Sequence, residues 1–177
     1  MKNVYLSALA LFLIVSPVMA QSLLHMSRDE FKEQFLETIN AARAKGCKCG
    51  TTRMRPAAPL TWSDVLTSTA REHAMDMAQN NYFDHNSIDG RSMQDRMVNG
   101  GYTFKGFQKY AIGENIAQGQ ESIGEVMTGW LKSPGHCKNL MNANFKEIGI
   151  FEYRYYWVQD FGGRTAFKNG GGVRYAN

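Results

Sequence analysis

Trp130-Leu131-Lys132-Ser133-Pro134-Gly135-His136-Cys137 is the stretch on which the fold reading turns. Its first half closes an amphipathic helix. Ser122 is placed to cap that helix, and Ile123, Val126, Met127 and Trp130 recur at the spacing of one helical face. Pro134 disfavours helical geometry at the residue before it, so the helix is expected to stop at Ser133. Gly135 turns the chain, and His136 opens a short helical piece ending near Asn142. A histidine and a cysteine therefore stand side by side just beyond a helix end.

Upstream, Ser27-Arg28-Asp29-Glu30 reads as a capping box. It starts a helix with Phe31, Phe35, Ile39 and Ala42 on its apolar face, ended by Gly46. Residues 46–59 read as a loop holding Cys47, Cys49, Pro56 and Pro59. A second helix, from about Trp62 to Asn80-Asn81, carries Leu66, Ala70, His73, Ala74 and Met77 on one side. Ser87 to Gly90 is a turn, and Ser92 caps a short helix that Gly100-Gly101 stops. Residues 103–112 read as irregular and Ile112–Ala117 as a short strand. Downstream, Ile148–Tyr153 and Tyr155–Phe161 are rich in β-branched and aromatic residues. They predict two antiparallel strands joined tightly near Arg154. Residues 163–177 are Gly-rich and read as a mobile tail. Helices interspersed with antiparallel strands point to an α+β domain rather than a parallel doubly wound sheet. Trp62, Trp130 and Trp157 are read as core.

The N-terminus has the three-part pattern of a secretory signal over residues 1–20: Lys2, an apolar run from Val4 to Val15, and Val18-Met19-Ala20 before the cleavage point. The run is too short to span a bilayer as a helix, which needs about 20 residues. No second apolar stretch is long enough, so no transmembrane segment is expected after cleavage, and the protein is read as secreted or periplasmic. The chain has 20 Lys and Arg against 16 Asp and Glu, a net charge of +4. That mild excess, with no clustered basic face, gives no footprint of a nucleic-acid binder.

Export makes a disulfide the expected state of two of the three cysteines, Cys47, Cys49 and Cys137. Cys47 and Cys49 flank a single residue, so a bridge between them would be strained. Either one has Cys137 as its long-range partner, and one thiol is left over.

Four segments place polar residues in unusual settings: Tyr82-Phe83-Asp84-His85-Asn86, Gly113-Glu114-Asn115-Ile116, the opening stretch through Cys137, and Tyr156-Trp157-Val158-Gln159-Asp160-Phe161-Gly162. In this order and spacing the chain resembles the CAP superfamily: cysteine-rich secretory proteins, antigen 5 and plant pathogenesis-related proteins, whose common unit is the SCP domain. Ser-Pro-Gly-His-Cys and the turn at Asp89-Gly90 are similar to the bacterial branch. The resemblance covers roughly residues 35 to 162, within a CAP domain read as residues 21–162. It implies a three-layer α-β-α sandwich with a central antiparallel sheet, and a cleft holding two histidines and two glutamates. By motif, His85 and His136 match the histidines and Glu114 the first glutamate. The second glutamate's position falls on Ser133, so the chain departs from the tetrad there; Glu147 is the one nearby carboxylate considered as a replacement. The resemblance also implies a Cys49–Cys137 disulfide, because the bacterial cysteine immediately precedes glycine, here Gly50. Cys47 is then the free thiol.

Two imidazoles, one carboxylate and an open water position form the ligand set of several catalytic zinc sites. His85, His136 and Glu114 are accordingly expected to bind a divalent cation such as Zn2+, or a small polar ligand. A position near a helix N-terminus is expected to keep the His136 imidazole neutral. Two other readings stand beside this one. One is a metal-assisted hydrolase with Glu114 as base. The other is a module binding a lipid or cell-envelope component, with a purely structural cleft. His73, on an apolar helical face, reads as a hydrogen-bonded core histidine, and His25 as exposed. Asn115 and Gln159 read as hydrogen-bond anchors. Glu114 lies on no apolar helical face, so its replacement is expected to damage the cleft without the cost of a core residue. Peptide mapping of the non-reduced protein should recover Cys49 joined to Cys137, with Cys47 alkylatable; a Cys47–Cys137 peptide would refute the pairing.

Overall fold

The computed structural model describes residues 26–167. The signal segment, His25 and residues 168–177 lie outside that range. Helix α1 (Arg28–Lys45) begins where the capping box places it: Ser27 Oγ accepts from Glu30 N, and Glu30 Oε2 accepts from Ser27 N at 2.8 Å. Gly46, at φ +70°, ends it. Helix α2 (Asp64–Asn80) is capped by Ser63, and α3 (Met93–Asn99) by a Ser92/Asp95 capping box. Helix α4 (Ile123–Lys132) stops before Pro134, and α5 (Pro134–Leu140) follows at once with proline in its first turn, where its missing N–H costs nothing.

Inside the stretch read as a loop, β1 (Cys47–Cys49) and β2 (Thr52–Met54) form a small hairpin. The main sheet contains β3 (Thr61–Trp62), β4 (Lys109–Gln118), β5 (Glu147–Tyr153) and β6 (Tyr156–Thr165), in the spatial order β3-β5-β6-β4. Its long pairings are antiparallel as expected, but β3 pairs with β5 in parallel. The extended approach to α2 lies against the start of β5, where Thr61 N and Ser63 N donate to the carbonyls of Lys146 and Ile148. The β5–β6 turn at Arg154 and Tyr155 has φ of 50° and 65° at its two positions, the backbone of a tight hairpin that follows the strands' twist.

The sheet is buried on both faces. Phe35 and Ile39 of α1, and Ile123, Val126, Met127 and Trp130 of α4, pack with Ile148, Ile150, Trp157 and Phe161 on one side. On the other, Ala70, Ala74 and Met77 of α2 pack with Ile116 and Val158. This is the α-β-α layering, produced by strand alternation. Trp130 and Trp157 are core, whereas Trp62 is only half-buried.

The Gly-rich end is corrected by the structure. Strand β6 continues through Gly162 and Gly163 to Thr165, paired with β4 as far as Lys109, so the tail does not begin at 163. A Cβ on Gly162 would collide with the Tyr102 ring, and one on Gly163 with the Asn144 carbonyl. These glycines mark close approach, not loose chain. Gly149 does the same on β5, where a Cβ would strike the α2 backbone at Leu66 and Thr67. Residues 109–111, read as irregular, belong to β4 through that same pairing.

Two cross-links complete the domain. Cys49 and Cys137 form the disulfide, joining β1 to α5 over 88 residues of sequence with their Cα atoms 5.4 Å apart; Cys47 is free. Closing a loop of that length stabilises by up to roughly 4–5 kcal/mol in the chain-entropy account. Arg43 of α1 is fully buried and donates only to carbonyls: Ala58 at 2.7 Å, Leu140 at 2.7 Å, Asn142 at 3.1 Å and Phe145 at 3.3 Å. Trp130 is 1% exposed, so Trp130→Ala should cost about 3–5 kcal/mol in denaturant melts. A loss below about 1 kcal/mol would show that this side of the sheet is not the principal core.

Candidate functional site

The β4–β6 register sets Glu114 opposite Asp160. Both side chains share the α2 face with Ile116 and Val158, because residues two apart on a strand point the same way. Two buried carboxyl groups on neighbouring strands cannot both ionise without help, and the surroundings treat them differently. Asp160 is 2% exposed, and its Oδ2 accepts from Thr69 Oγ1 at 2.6 Å. Burial, then the charge of Glu114, raise its pKa well above the usual carboxylate range. Burial would also raise Glu114, but the His85 hydrogen bond and the Arg96 guanidinium outweigh it and hold Glu114 below its ordinary value.

Glu114 is held at both oxygens. Arg96 Nη2 donates to Oε2 at 2.6 Å, with both side chains almost wholly buried, and His85 Nδ1 donates to Oε1 at 2.7 Å. Arg96 is the site residue that sequence reasoning missed. It lies in the last turn of α3, and its Nη1 donates to the carbonyl of His85 at 2.8 Å and to Ser87 Oγ at 3.3 Å. One guanidinium therefore fixes both the carboxylate and the loop that carries His85. No periodicity marks it. The available hint was a lone arginine on a short capped helix close after His85.

His85 keeps its ring half-exposed, 54% by side chain, with Nδ1 committed to Glu114. The Glu114 hydrogen bond raises the His85 pKa against the opposing effect of burial. His136 shifts the other way: burial lowers it, and the charge on His85 lowers it further. Both effects favour the neutral form of His136, and burial, not the expected helix end, is the larger of them. His73 is the buried core histidine predicted, and its Nε2 donates to the Asp84 carbonyl at 2.9 Å.

On the opposite face of β4, an amide ladder seats α5. Asn115 Nδ2 donates to Gln159 Oε1 at 2.9 Å and to the His136 carbonyl at 3.3 Å, while Asn139 Nδ2 donates to Asn115 Oδ1 at 2.9 Å. Asn115 and Gln159 are the anchors they were read to be. They hold the first turn of α5, with His136, beside the edge strand. Ser133 forms the α4–α5 junction; its carbonyl accepts from Cys137 N at 2.9 Å and it brings no carboxylate. Glu147 does not replace the missing glutamate, being engaged with Tyr102 Oη at 2.5 Å and Arg164 at 3.1 Å.

As a metal centre the expected trio fits only in part. Among the described residues, His85, Glu114 and His136 do not form a group whose ligand atoms lie within 4.8 Å of one another. Both Glu114 oxygens are already bonded to nitrogen donors, so a direct ligand role does not suit it. His85 Nε2 remains available, and Glu114 fixes that tautomer from behind, as a carboxylate does behind a ligating histidine.

Residues 36–161 match the family described as CAP, the Cysteine-rich secretory protein family. The chain belongs to the CAP family. It is 36% identical over 137 residues to the uncharacterized protein YkwD of Bacillus subtilis (strain 168), an alignment covering 76% of this chain and 48% of that protein. It is 32% identical to the uncharacterized membrane protein YlbC of the same organism, covering 73% of this chain and 34% of that one. The CAP chain thus spans less than half the length of these relatives. Among solved structures, an extracellular SCP-domain protein of Bacillus anthracis superposes with a TM-score of 0.61 at 30% identity, covering 77% of this chain and 43% of its own. An outer surface protein of Borrelia burgdorferi matches with a TM-score of 0.61 at 22% identity, covering 83% of this chain and 100% of its own; it supports the fold. These two neighbours are extracellular or surface proteins. Among the described residues no helix is long and apolar enough to cross a membrane.

Burial corrects the expected mildness of Glu114 replacement. Glu114→Ala would strand the buried Arg96 charge, and Arg96→Ala the buried Glu114. Each should cost about 3–5 kcal/mol, and the double variant should cost clearly less than their sum. Additive losses in denaturant melts would show that the two side chains are not energetically coupled.

Proposed function

We propose that the protein is an exported CAP domain whose cleft binds a divalent cation between the imidazoles of His85 and His136. The observation that carries this reading is the Nδ1–Oε1 bond of 2.7 Å, which pins His85 with Nε2 outward while burial keeps His136 neutral. Neutral imidazole nitrogens are good zinc ligands, and a carboxylate behind one of them sets its tautomer and raises its basicity. Export rests on the N-terminal pattern and on the extracellular and surface neighbours.

The bound cation would supply Lewis acidity and a water of lowered pKa. The protein's own groups orient that site more than they do chemistry. Glu114 is a weak general base, since both oxygens are occupied and its pKa lies below the ordinary value. The cleft also lacks the second carboxylate, Ser133 standing in its place. A metal-assisted hydrolase with Glu114 as base is therefore the less well supported reading. Cation binding, rather than turnover, agrees best with a rigid, pre-paired carboxylate.

The metal competes with protons for His85 Nε2. Because Glu114 raises the His85 pKa, zinc affinity should fall as pH drops, with the midpoint above about 6.5, the ordinary histidine value. Calorimetry at two pH values on the mature protein tests this. His85→Ala and His136→Ala should each weaken binding by at least tenfold, about 1.4 kcal/mol. Absence of binding at millimolar zinc, or binding indifferent to both substitutions, would overturn the proposal.

A further inference from the structure

Cys47 and Cys49 lie two apart on β1, so both sulfurs face the same way, toward Cys137 on α5. The three sulfurs form a group in which every pair lies within 4.8 Å. Cys47 Sγ sits 3.5 Å from Cys137 Sγ and 3.8 Å from Cys49 Sγ. That near-equal spacing decides between two uses of a free thiol beside a disulfide. Thiol–disulfide exchange proceeds by attack along the S–S axis, which would hold the attacking sulfur much farther from one bridge sulfur than from the other. A thiol nearly equidistant from both is placed to share a centre with them once the Cys49–Cys137 bond is opened. The edge of a tetrahedron of thiolates around a zinc-sized ion, with metal–sulfur bonds of about 2.3 Å, is about 3.8 Å.

Two further features surround the triangle. Met141 and Met54 pack in the same small apolar cluster as the three cysteines. An open groove lined by Lys45, Lys48, Arg53 and Arg55, with Cys47 among them, runs past it. Thiolate donors select soft cations such as Cu(I), and the ammonium and guanidinium groups lining the groove offset the negative charge of a thiolate complex. Burial raises the Cys47 thiol above its ordinary pKa, so the free group is protonated until a cation displaces the proton.

We propose that Cys47, Cys49 and Cys137 form a redox-gated site for a soft monovalent cation of the Cu(I) class, closed while Cys49 and Cys137 are bridged and opened when they are reduced. Opening takes two electrons and two protons from a thiol reductant: the Cys49–Cys137 bond breaks, both cysteines become thiols, and two reductant thiols become one disulfide. Binding then forms three copper–sulfur bonds and releases three protons to solvent, leaving a complex of charge −2. The site is separate from the His85–His136 cleft and does not depend on the reading given for it.

The test uses the mature full chain, wild type and Cys47→Ser, reduced with a phosphine and titrated with Cu(I) against a chromogenic Cu(I) chelator. Reduced wild type should take up one Cu(I). Cys47→Ser should bind at least about 10- to 100-fold more weakly, since even outer-shell changes around a metal cost that much. Cys47→Ser keeps the Cys49–Cys137 bridge, so its oxidised form should melt with wild type, which checks the fold. His85→Ala should bind Cu(I) as wild type does, which separates this site from the cleft. Oxidised wild type should bind no better than Cys47→Ser. Equal affinity in the reduced wild type and Cys47→Ser, or equal affinity in the oxidised and reduced wild type, would overturn the proposal. So would a reduced chain that loses its helical circular dichroism and does not regain it on adding Cu(I).

Discussion

A carboxylate that cannot reach water must be answered by the protein itself, and Glu114 is that carboxylate. It sits on a sheet face covered by α2, 5% exposed, where an unpaired charge would be prohibitive. Arg96 and His85 satisfy it, and through them the edge strand β4 is tied to α3 and to the loop after α2. Asp160 beside it, its pKa raised by burial and by the Glu114 charge, accepts a hydrogen bond from Thr69 of α2. His85 stands at the surface of this network: the histidine that faces solvent is placed by groups that do not. Structure and site therefore share one set of bonds. Buried ion pairs often add little net stability compared with an apolar core; here the pair fixes where an imidazole points.

The two faces of the sheet divide the labour. One carries the large apolar core beneath α1 and α4. The other approaches α2 so closely that a glycine is required at 149, where any side chain would strike the helix backbone. The same demand recurs at Gly113, where a Cβ would meet the Phe145 ring, and at Gly162 and Gly163. Helix α5 bridges these layers. It carries His136 to the cleft and, in the next residue, Cys137 to the disulfide, so the covalent bond that fastens the helix also fastens the turn bearing the imidazole.

The opposite shifts of His85 and His136 follow from the same arrangement. Glu114 favours the protonated form of one ring; burial and the neighbouring charge disfavour it in the other. The His85 pKa is raised on folding, so the stability its pairing contributes is full below about pH 6.5 and is lost as pH rises through the raised value. His136, with its pKa depressed, opposes folding increasingly as pH falls through the ordinary histidine range. Pairs of titratable groups pushed apart in this way are a recurring mark of functional sites.

Local rules were enough for most helix ends: Ser27, Ser92 and Ser122 are legible as caps and Gly46 and Pro134 as stops, because capping and backbone restriction involve only residues three or four apart, while the Ser63 cap of α2 emerges only in the structure. The hairpin at Arg154 and the burial of Trp130 and Trp157 were equally legible, since apolar periodicity is written in one segment. Motif order singled out His85, Glu114 and His136 as candidates. What the chain could not disclose by itself are the relations between segments. That Asp160 lies beside Glu114, 46 residues away in the chain, and that Gly162 and Gly163 are packed strand instead of tail depend on the β4–β6 register, and that Arg96 neutralises Glu114 depends on where α3 packs against β4. The convergence of Cys47 on the Cys49–Cys137 bridge likewise needs α5 laid against β1. A side chain's chemistry is carried by its own atoms, but its charge state and partners are set by whichever distant strand or helix removes it from water.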